Sequence, residues 1–191
     1  MLDRLRARLD KSLLSVGLTL SKTGLSPTSW TIVGLLVSFA AGGAYWSSGY
    51  RGEIAGGLLV LLSGFFDLVD GAVARATSSV SKRGAFLDST LDRVAEVAVF
   101  SGILLGGFAN PLWVLLALSL SLLVSYTRAK ADSLDVSLSG VGIGERSERL
   151  LALSILSIIG FAGFGVIVVG LLAAVTFLER VSRAAAALRH S

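Results

Sequence analysis

The chain has 191 residues, 53% of them hydrophobic, with a mean hydropathy of +0.79 and a net charge of +4. The absence of cysteine and the single histidine exclude disulfides, thiolate metal sites and histidine-based catalytic triads. The apolar residues come in blocks close to the ~20 residues that a transmembrane helix needs. We therefore expect residues 1–191 to form one polytopic membrane domain rather than several soluble domains.

Residues 1–25 precede the first long apolar block. Leucines recur there at helical spacing, with basic residues on the other side of the helix, and these leucines include Leu2, Leu5, Leu9 and Leu13. The pattern predicts an N-terminal amphipathic helix that lies in the membrane interface. A soluble helix packed on the rest of the chain is the alternative interpretation.

Six apolar segments follow the helix-breaking sequence at residues 26–28. They cover residues 29–48, 54–76, 84–107, 111–132, 147–162 and 164–181. We therefore predict an all-α fold in which residues 26–181 form six transmembrane helices and residues 182–191 form a cytoplasmic tail. The break between the last two segments rests on Gly160, Gly163 and Gly165, and a single span of about 33 residues would exceed an ordinary membrane helix.

The distribution of basic residues predicts the orientation of the chain. With the N-terminus inside, the inner segments hold 15 of the 17 Lys and Arg residues. This asymmetry favours a multi-pass protein of the cell membrane with both termini in the cytoplasm. It also accounts for the net charge without nucleic acid as a partner, because the basic residues face anionic headgroups and phosphate substrates.

Four aspartates lie at helical spacing at the inner ends of two consecutive segments. Asp67 and Asp70 are three residues apart and Asp88 and Asp92 are four apart, so each pair shares one helix face. A short loop makes the two helices antiparallel neighbours, so all four carboxylates can converge. Because ionised carboxylates are costly at membrane depth, either most of them are protonated or cations neutralise them. Oxygen ligands favour hard ions such as Mg²⁺, Mn²⁺ or Ca²⁺, and two such ions could polarise a phosphate.

Two other interpretations of the aspartates are open. The acids could pair with Arg75 and Arg93 to stabilise a helix bundle, or they could form a cation pathway. The acids cluster at the cytoplasmic end, however, and no charged residue continues towards the outer face beyond Glu96, whereas a pathway should continue. These positions favour a metal site.

The stretch from Asp67 to Asp92 resembles the signature of the CDP-alcohol phosphotransferase family, D-x2-D-G-x2-A-R-x8-G-x3-D-x3-D, at every fixed position. The resemblance implies Mg²⁺ or Mn²⁺, with two ions per site, held by Asp67, Asp70, Asp88 and Asp92. It implies that Asp92 is also the catalytic base. It further implies a homodimer and a CDP pocket formed by Asp67, Thr31, Gly71, Ala74, Arg75 and Gly84.

A second stretch indicates the acceptor. Residues 125–132 and 141–149 are similar to the branch of the family that makes phosphatidylinositol phosphate or archaetidylinositol phosphate from inositol phosphate. The similarity implies that basic residues beside the metal site cradle the acceptor phosphate, namely Arg128, Lys130, Arg146, Arg149 and Arg183. The positive-inside rule alone would also place basic residues there.

Together these resemblances imply transfer of a phosphatidyl or archaetidyl group from a CDP-activated lipid to inositol 1-phosphate, with release of CMP at the cytoplasmic side. The nearest alternative is the same transfer to glycerol 3-phosphate, and a further one joins a CDP-polar alcohol to a soluble phosphate. The alternative from another class is a cation transporter that uses the four aspartates, which predicts ion flux without nucleotide turnover.

Overall fold

The computed structural model describes residues 15–189, which form helices and connections without any β-strand. The all-α prediction is therefore confirmed. The helices are α1 (15–21), α2 (Pro27–Trp46), α3 (Gly49–Ala76), α4 (Lys82–Leu105), α5 (Pro111–Asp132), α6 (Arg146–Ile158) and α7 (Ala162–Ala187). Most of the predicted amphipathic helix over 1–25 lies outside the described residues.

Local sequence determines where several helices begin. The hydroxyl of Ser26 accepts a hydrogen bond from the amide of Ser29 at 3.2 Å and thereby caps α2. The hydroxyl of Ser81 accepts one from the amide of Gly84 at 3.0 Å and caps α4. Such caps satisfy amide groups that have no partner within the helix. Pro27 occupies the first position of α2, where the missing N–H is tolerated.

Four helices are long and apolar enough to cross a membrane, namely α2, α3, α5 and α7. Helix α4 has 24 residues but carries several charged side chains, Lys82, Arg83, Asp88, Asp92, Arg93 and Glu96. Helix α6 has 13 residues, which is ~20 Å at 1.5 Å per residue and less than the ~30 Å of the hydrocarbon core. The described helices thus indicate a membrane protein, and four of them meet the requirements for a span by length and composition.

Three helix ends differ by more than two residues from the positions that hydropathy predicts. Helix α3 begins at Gly49 rather than residue 54. Helix α7 continues through Ala187, past the predicted boundary at residue 181, because the alanines at 184–187 favour helix. Helix α6 ends at Ile158 rather than residue 162, because Gly160 adopts a φ of +84° that turns the chain. The predicted break between the last two segments is therefore confirmed.

The helices alternate in direction, so the bundle has two chemically different ends. The N-terminal ends of α2, α4 and α6 meet the C-terminal ends of α3, α5 and α7 around the four aspartates, and we call this the acidic end. At the opposite end, Glu53 of α3 is buried and accepts a hydrogen bond from the amide of Ala162, the first residue of α7. Glu53 is a charged residue beyond Glu96 that the sequence interpretation did not weigh, and its carboxylate is engaged in this cap.

Close helix contacts join the bundle at the end away from the aspartates. Helix α2 packs against both α3 and α4. Gly102 of α4 lies so near Gly42 of α2 that a Cβ at position 102 would overlap the Gly42 carbonyl group. Buried side chains from six helices, α2 to α7, among them Tyr45, Val60 and Leu153, fill the space behind the acidic end. Helices α2 and α4 are therefore tightly joined at the end opposite the aspartates.

Candidate active site

Three of the four aspartates converge at the acidic end. Asp67 and Asp70 lie in the last third of α3, and Asp88 lies in the second turn of α4. One carboxylate oxygen from each of the three lies within 4.8 Å of the others. The convergence follows from the short connection at residues 77–81, which turns α4 back along α3.

These carboxylates leave buried oxygens without partners. Asp70 is 6% exposed, and neither its Oδ2 nor the Oδ1 of Asp88 has a hydrogen-bond partner among the described residues. A buried carboxylate oxygen without a partner is costly, and a bound cation removes that cost. A donor set of oxygen atoms alone suits hard ions such as Mg²⁺ and Mn²⁺. Asp67, Asp70 and Asp88 therefore fit a divalent metal ion.

Arg146 connects Asp92 to this cluster. Its Nη1 lies 2.9 Å from Oδ1 of Asp92 and 3.0 Å from Oδ2 of Asp67. The Arg146 side chain is largely buried, so these ion pairs are screened little by solvent. Because Arg146 is the first residue of α6, the pairs tie the start of α6 to both α3 and α4.

A fifth carboxylate, Glu96, lies one turn beyond Asp92 on α4 and is 3% exposed. Its Oε1 lies 3.2 Å from Nη2 of Arg149 and 3.7 Å from Nε of Arg146. Arg149 also donates a hydrogen bond from Nη1 to the Gly144 carbonyl oxygen at 2.7 Å. Glu96 is therefore shared between two arginines of α6.

The formal charges of the cluster leave an excess of negative charge. Its five carboxylates (−5) and three guanidinium groups (+3) give a formal charge of −2. The carboxylates are those of Asp67, Asp70, Asp88, Asp92 and Glu96, and the guanidinium groups are those of Arg93, Arg146 and Arg149. One divalent cation balances that excess. A second divalent cation would be balanced by a ligand that brings about two negative charges of its own, such as a diphosphate.

The acidic end opens into a cavity of about 930 Å³. Carboxylates of α3 and α4 line it, namely Asp67, Asp88 and Asp92, with Arg93 beside them on α4. Arginines of α5, α6 and α7 line it as well, namely Arg128, Arg146, Arg149 and Arg180, together with the carboxylates of Asp132 and Glu145. A cavity that offers both cation-binding oxygens and guanidinium groups suits a ligand with several phosphates.

The structure separates the five basic residues predicted for the acceptor. Arg128, Arg146 and Arg149 line the large cavity. Lys130 and Arg183 are exposed and are not part of its wall. Arg180, one turn before Arg183 on α7, lines the cavity instead and is buried. Helical geometry explains the difference, because Arg183 lies beyond the last turn of α7 that packs within the bundle.

The connection between α5 and α6 forms part of the cavity wall, and buried side chains hold it in place. Arg180 donates from Nε to the Val141 carbonyl oxygen and from Nη1 to the Val124 carbonyl oxygen, both at 3.0 Å. The Thr176 hydroxyl accepts a hydrogen bond from the Gly144 amide at 3.0 Å. Helix α7 therefore fixes this connection to α5.

The residues predicted for the CDP group lie on the aspartate side. Thr31 of α2 lines a small cavity together with Asp67 and Asp70. Gly71 lies beside the guanidinium of the exposed Arg75, and a Cβ at position 71 would approach Arg75 Nη1 to 3.3 Å. The remaining two residues, Ala74 and Gly84, lie in the last turn region of α3 and the first turn of α4.

Sequence interpretation missed two residues of the site. Glu96 continues the four-residue spacing of Asp88 and Asp92, and extending that spacing by one turn would have found it. Arg180 ends a buried stripe on α7 that runs through Val169, Ala173 and Thr176. That stripe selects Arg180 over Arg183 as the inward-facing arginine.

The apolar helices indicate a membrane protein, and the acidic, metal-compatible cavity within the bundle indicates a site for a charged ligand. Residues 15–183 match the sequence profile of the CDP-alcohol phosphatidyltransferase family. The chain belongs to this family and is a transferase.

Relatives with established names are similar to the chain over most of its length. It is 36% identical over 184 residues to the archaetidylinositol phosphate synthase of Pyrococcus horikoshii, covering 96% of both chains. It is 38% identical over 171 residues to the phosphatidylinositol phosphate synthase of Streptomyces avermitilis, covering 84% of this chain and 68% of the relative.

Solved structures of the Mycobacterium tuberculosis phosphatidylinositol phosphate synthase share the fold at 26% sequence identity. The structure with CDP-DAG bound superposes with a TM-score of 0.76 and covers 90% of this chain and 92% of its own. The structure in complex with manganese and citrate gives a TM-score of 0.75, covering 90% of this chain and 88% of its own.

Proposed function

We propose that this enzyme transfers a phosphatidyl or archaetidyl group from a CDP-activated lipid to inositol 1-phosphate and releases CMP. One observation carries the proposal: the same cavity is lined by two of the three carboxylates that fit a metal ion, those of Asp67 and Asp88, and by five arginines. The first set suits the diphosphate of the donor, and the second suits the phosphate of an acceptor. The names of the Pyrococcus and Streptomyces relatives support inositol phosphate as that acceptor.

The metal site we propose consists of Asp67, Asp70 and Asp88, completed by Asp92, with Mg²⁺ or Mn²⁺ as the ion. The manganese bound in the related mycobacterial structure supports this choice. Two ions per site agree with the charge balance, because the donor diphosphate brings about two further negative charges. Bound there, the ions would polarise the donor phosphate and offset the charge that develops on the leaving group.

The protein groups have distinct parts in the reaction we propose. Arg128, Arg149 and Arg180 hold the acceptor phosphate, so that a hydroxyl of inositol faces the phosphorus that bears the lipid. The hydroxyl oxygen forms a bond to this phosphorus, the bond to the CMP oxygen breaks, and the hydroxyl proton passes to Asp92. Oδ2 of Asp92 is the proposed proton acceptor, because Arg146 lies 2.9 Å from Oδ1, whereas Arg93 lies 3.8 Å from Oδ2. Arg75 and Thr31 bind the departing nucleotide.

We propose six transmembrane helices, α2 to α7, within a single domain over residues 1–191, with the acidic end and both termini on the cytoplasmic side. The positive-inside distribution supports this orientation. The charged side chains of α4 lie at the acidic end, where arginines and metal ions would balance them. They therefore do not prevent α4 from spanning the membrane. Because α6 is ~20 Å long, the acidic end lies below the membrane surface and opens to the cytoplasm through the large cavity. We also propose that the enzyme is a homodimer.

The test is CMP release by purified protein with Mn²⁺ or Mg²⁺ and a CDP-lipid, using inositol 1-phosphate and glycerol 3-phosphate in parallel. The proposal expects CMP release that requires inositol 1-phosphate and stops on chelation of the metal. Release with glycerol 3-phosphate alone would keep the chemistry and replace the acceptor. Ion flux in vesicles without CMP release would instead favour a transporter.

A further inference from the structure

Glu96 lies behind the arginines of α6 that line the large cavity, and it does not line the cavity itself. Arg146 and Arg149 both line the cavity, whereas Glu96 does not. The Glu96 carboxylate lines a small void on the far side of Arg146, next to Ser38 and Ser63. Glu96 therefore has no access to a substrate in the large cavity and can act there only through the arginines.

The two arginines depend on Glu96 to different degrees. Arg146 is held by Asp67 and Asp92 at 3.0 and 2.9 Å and lies 3.7 Å from Glu96. Arg149 lies 3.2 Å from Glu96, and no other carboxylate pairs with it among the described residues. Its remaining hydrogen bond goes to a neutral carbonyl group, that of Gly144. The position of the Arg149 guanidinium thus depends chiefly on Glu96.

We propose that Glu96 is a positioning residue that fixes the Arg149 guanidinium toward the acceptor phosphate, an inference that rests on the function proposed above. Arg149 is 2% exposed, so its charge has little solvent around it. A buried cation without its anion is strongly unfavourable. Without the Glu96 charge, Arg149 would turn toward the nearest carboxylates or toward water and no longer hold its place in the cavity wall.

The test compares Glu96→Gln, which keeps the shape and removes the charge, with Glu96→Asp, which keeps the charge. Asp135→Asn is the matched control, because Asp135 is an exposed carboxylate with a φ of +59° that Asn also adopts. Steady-state KM values are measured for the acceptor and for the CDP-lipid, and calorimetry measures inositol 1-phosphate binding without turnover.

Glu96→Gln is expected to raise the acceptor KM about tenfold or more, the effect of losing one hydrogen bond to a charged group. The KM for the CDP-lipid should stay within about twofold, and calorimetry should show the same loss of acceptor affinity. Glu96→Asp should recover part of the lost acceptor affinity. Equal increases in both KM values, or an unchanged acceptor KM in a folded variant, would overturn the proposal.

A second comparison removes both charges. If Glu96 acts through Arg149, the acceptor KM of Glu96→Gln/Arg149→Gln should equal that of Arg149→Gln alone. This double variant leaves no unpaired buried charge, so it is expected to fold even if Glu96→Gln alone does not. A double variant clearly weaker in acceptor binding than Arg149→Gln would assign Glu96 a separate role and overturn the proposal.

The wild type separates this inference from the proposed function. If the wild type uses glycerol 3-phosphate alone, the proposed acceptor is wrong, and the same comparisons are made with that phosphate. If the wild type neither binds nor converts either phosphate, both proposals fail. If the wild type converts inositol 1-phosphate and Glu96→Gln is unchanged, only the role of Glu96 fails.

Discussion

Nη1 of Arg146 lies 2.9 Å from Oδ1 of Asp92, so the base we propose is paired with a cation from another helix. The same nitrogen lies 3.0 Å from Asp67, one of the three carboxylates that fit a metal ion. Arg146 and the metal ion that we propose would therefore share the negative charge of Asp67 and Asp92. Arg146 stabilises the arrangement of the aspartates but weakens the attraction of Asp67 for a metal ion.

Removing the Arg146 charge should tighten metal binding and slow the reaction. In Arg146→Gln, we expect the Kd for Mn²⁺ to fall by about threefold to tenfold, because a nearby positive charge is lost. Turnover should fall because Asp92 loses the group that orients it. Electron paramagnetic resonance of free Mn²⁺ measures the first effect. Lys130→Gln removes an exposed charge outside the cavity and should leave the Kd unchanged; weaker Mn²⁺ binding in Arg146→Gln would contradict the shared-charge interpretation.

Asp70→Asn should abolish turnover without unfolding the protein. The buried carboxylate supplies one oxygen of the metal-compatible cluster, and metal ions contribute several kcal/mol to stabilising a phosphoryl transition state. We therefore expect CMP release to fall on the order of a hundredfold or more. In the wild type, Mn²⁺ should raise the thermal midpoint, since a ligand that binds the folded state stabilises it. This increase should be lost in Asp70→Asn, and a normal increase there would exclude Asp70 as a ligand.

Arg180 and Arg183 provide a matched pair on one helix. Arg180→Gln should raise the acceptor KM about tenfold, because a buried guanidinium is removed from the cavity wall. Its thermal midpoint should also fall, because the connection to Val141 and Val124 is lost. Arg183→Gln should leave the acceptor KM within about twofold, as expected for an exposed charge. A raised acceptor KM in Arg183→Gln, with an unchanged acceptor KM in Arg180→Gln, would support the prediction of Arg183 from the sequence.

The carboxylate of Glu53 should contribute to stability and not to catalysis. Glu53→Ala would leave the Ala162 amide without its acceptor, at a cost of ~1–3 kcal/mol. Glu53→Gln retains a carbonyl oxygen and should cost less. Thermal unfolding in detergent measures both, and KM values at low temperature should equal those of the wild type because Glu53 lies at the end opposite the aspartates. An unchanged midpoint in Glu53→Ala would show that the cap adds no stability.

The helices and the aspartate cluster could be predicted because each depends on local spacing. Caps such as Ser26 and Ser81, and the three- and four-residue spacing of the acids, are visible in the sequence itself. The partners of the arginines could not be predicted in this way. Arg146 meets Asp67 and Asp92 across three helices, and the choice between Arg180 and Arg183 depends on where α7 leaves the bundle. Long-range packing decides the contacts of Arg146 and leaves no local pattern, whereas Arg180 continues the helical spacing of the buried residues on α7.

The hydrogen bonds that Thr176, Arg180 and Arg149 make with the connection between α5 and α6 affect how tightly an acceptor can bind. A flexible loop loses conformational entropy when it closes on a ligand, and that loss weakens affinity. Here three side chains already hold the backbone at Val141 and Gly144. The entropy of this segment is therefore lost during folding rather than during substrate capture, and a small hydrophilic acceptor can be recognised by a wall that is preorganised before it arrives.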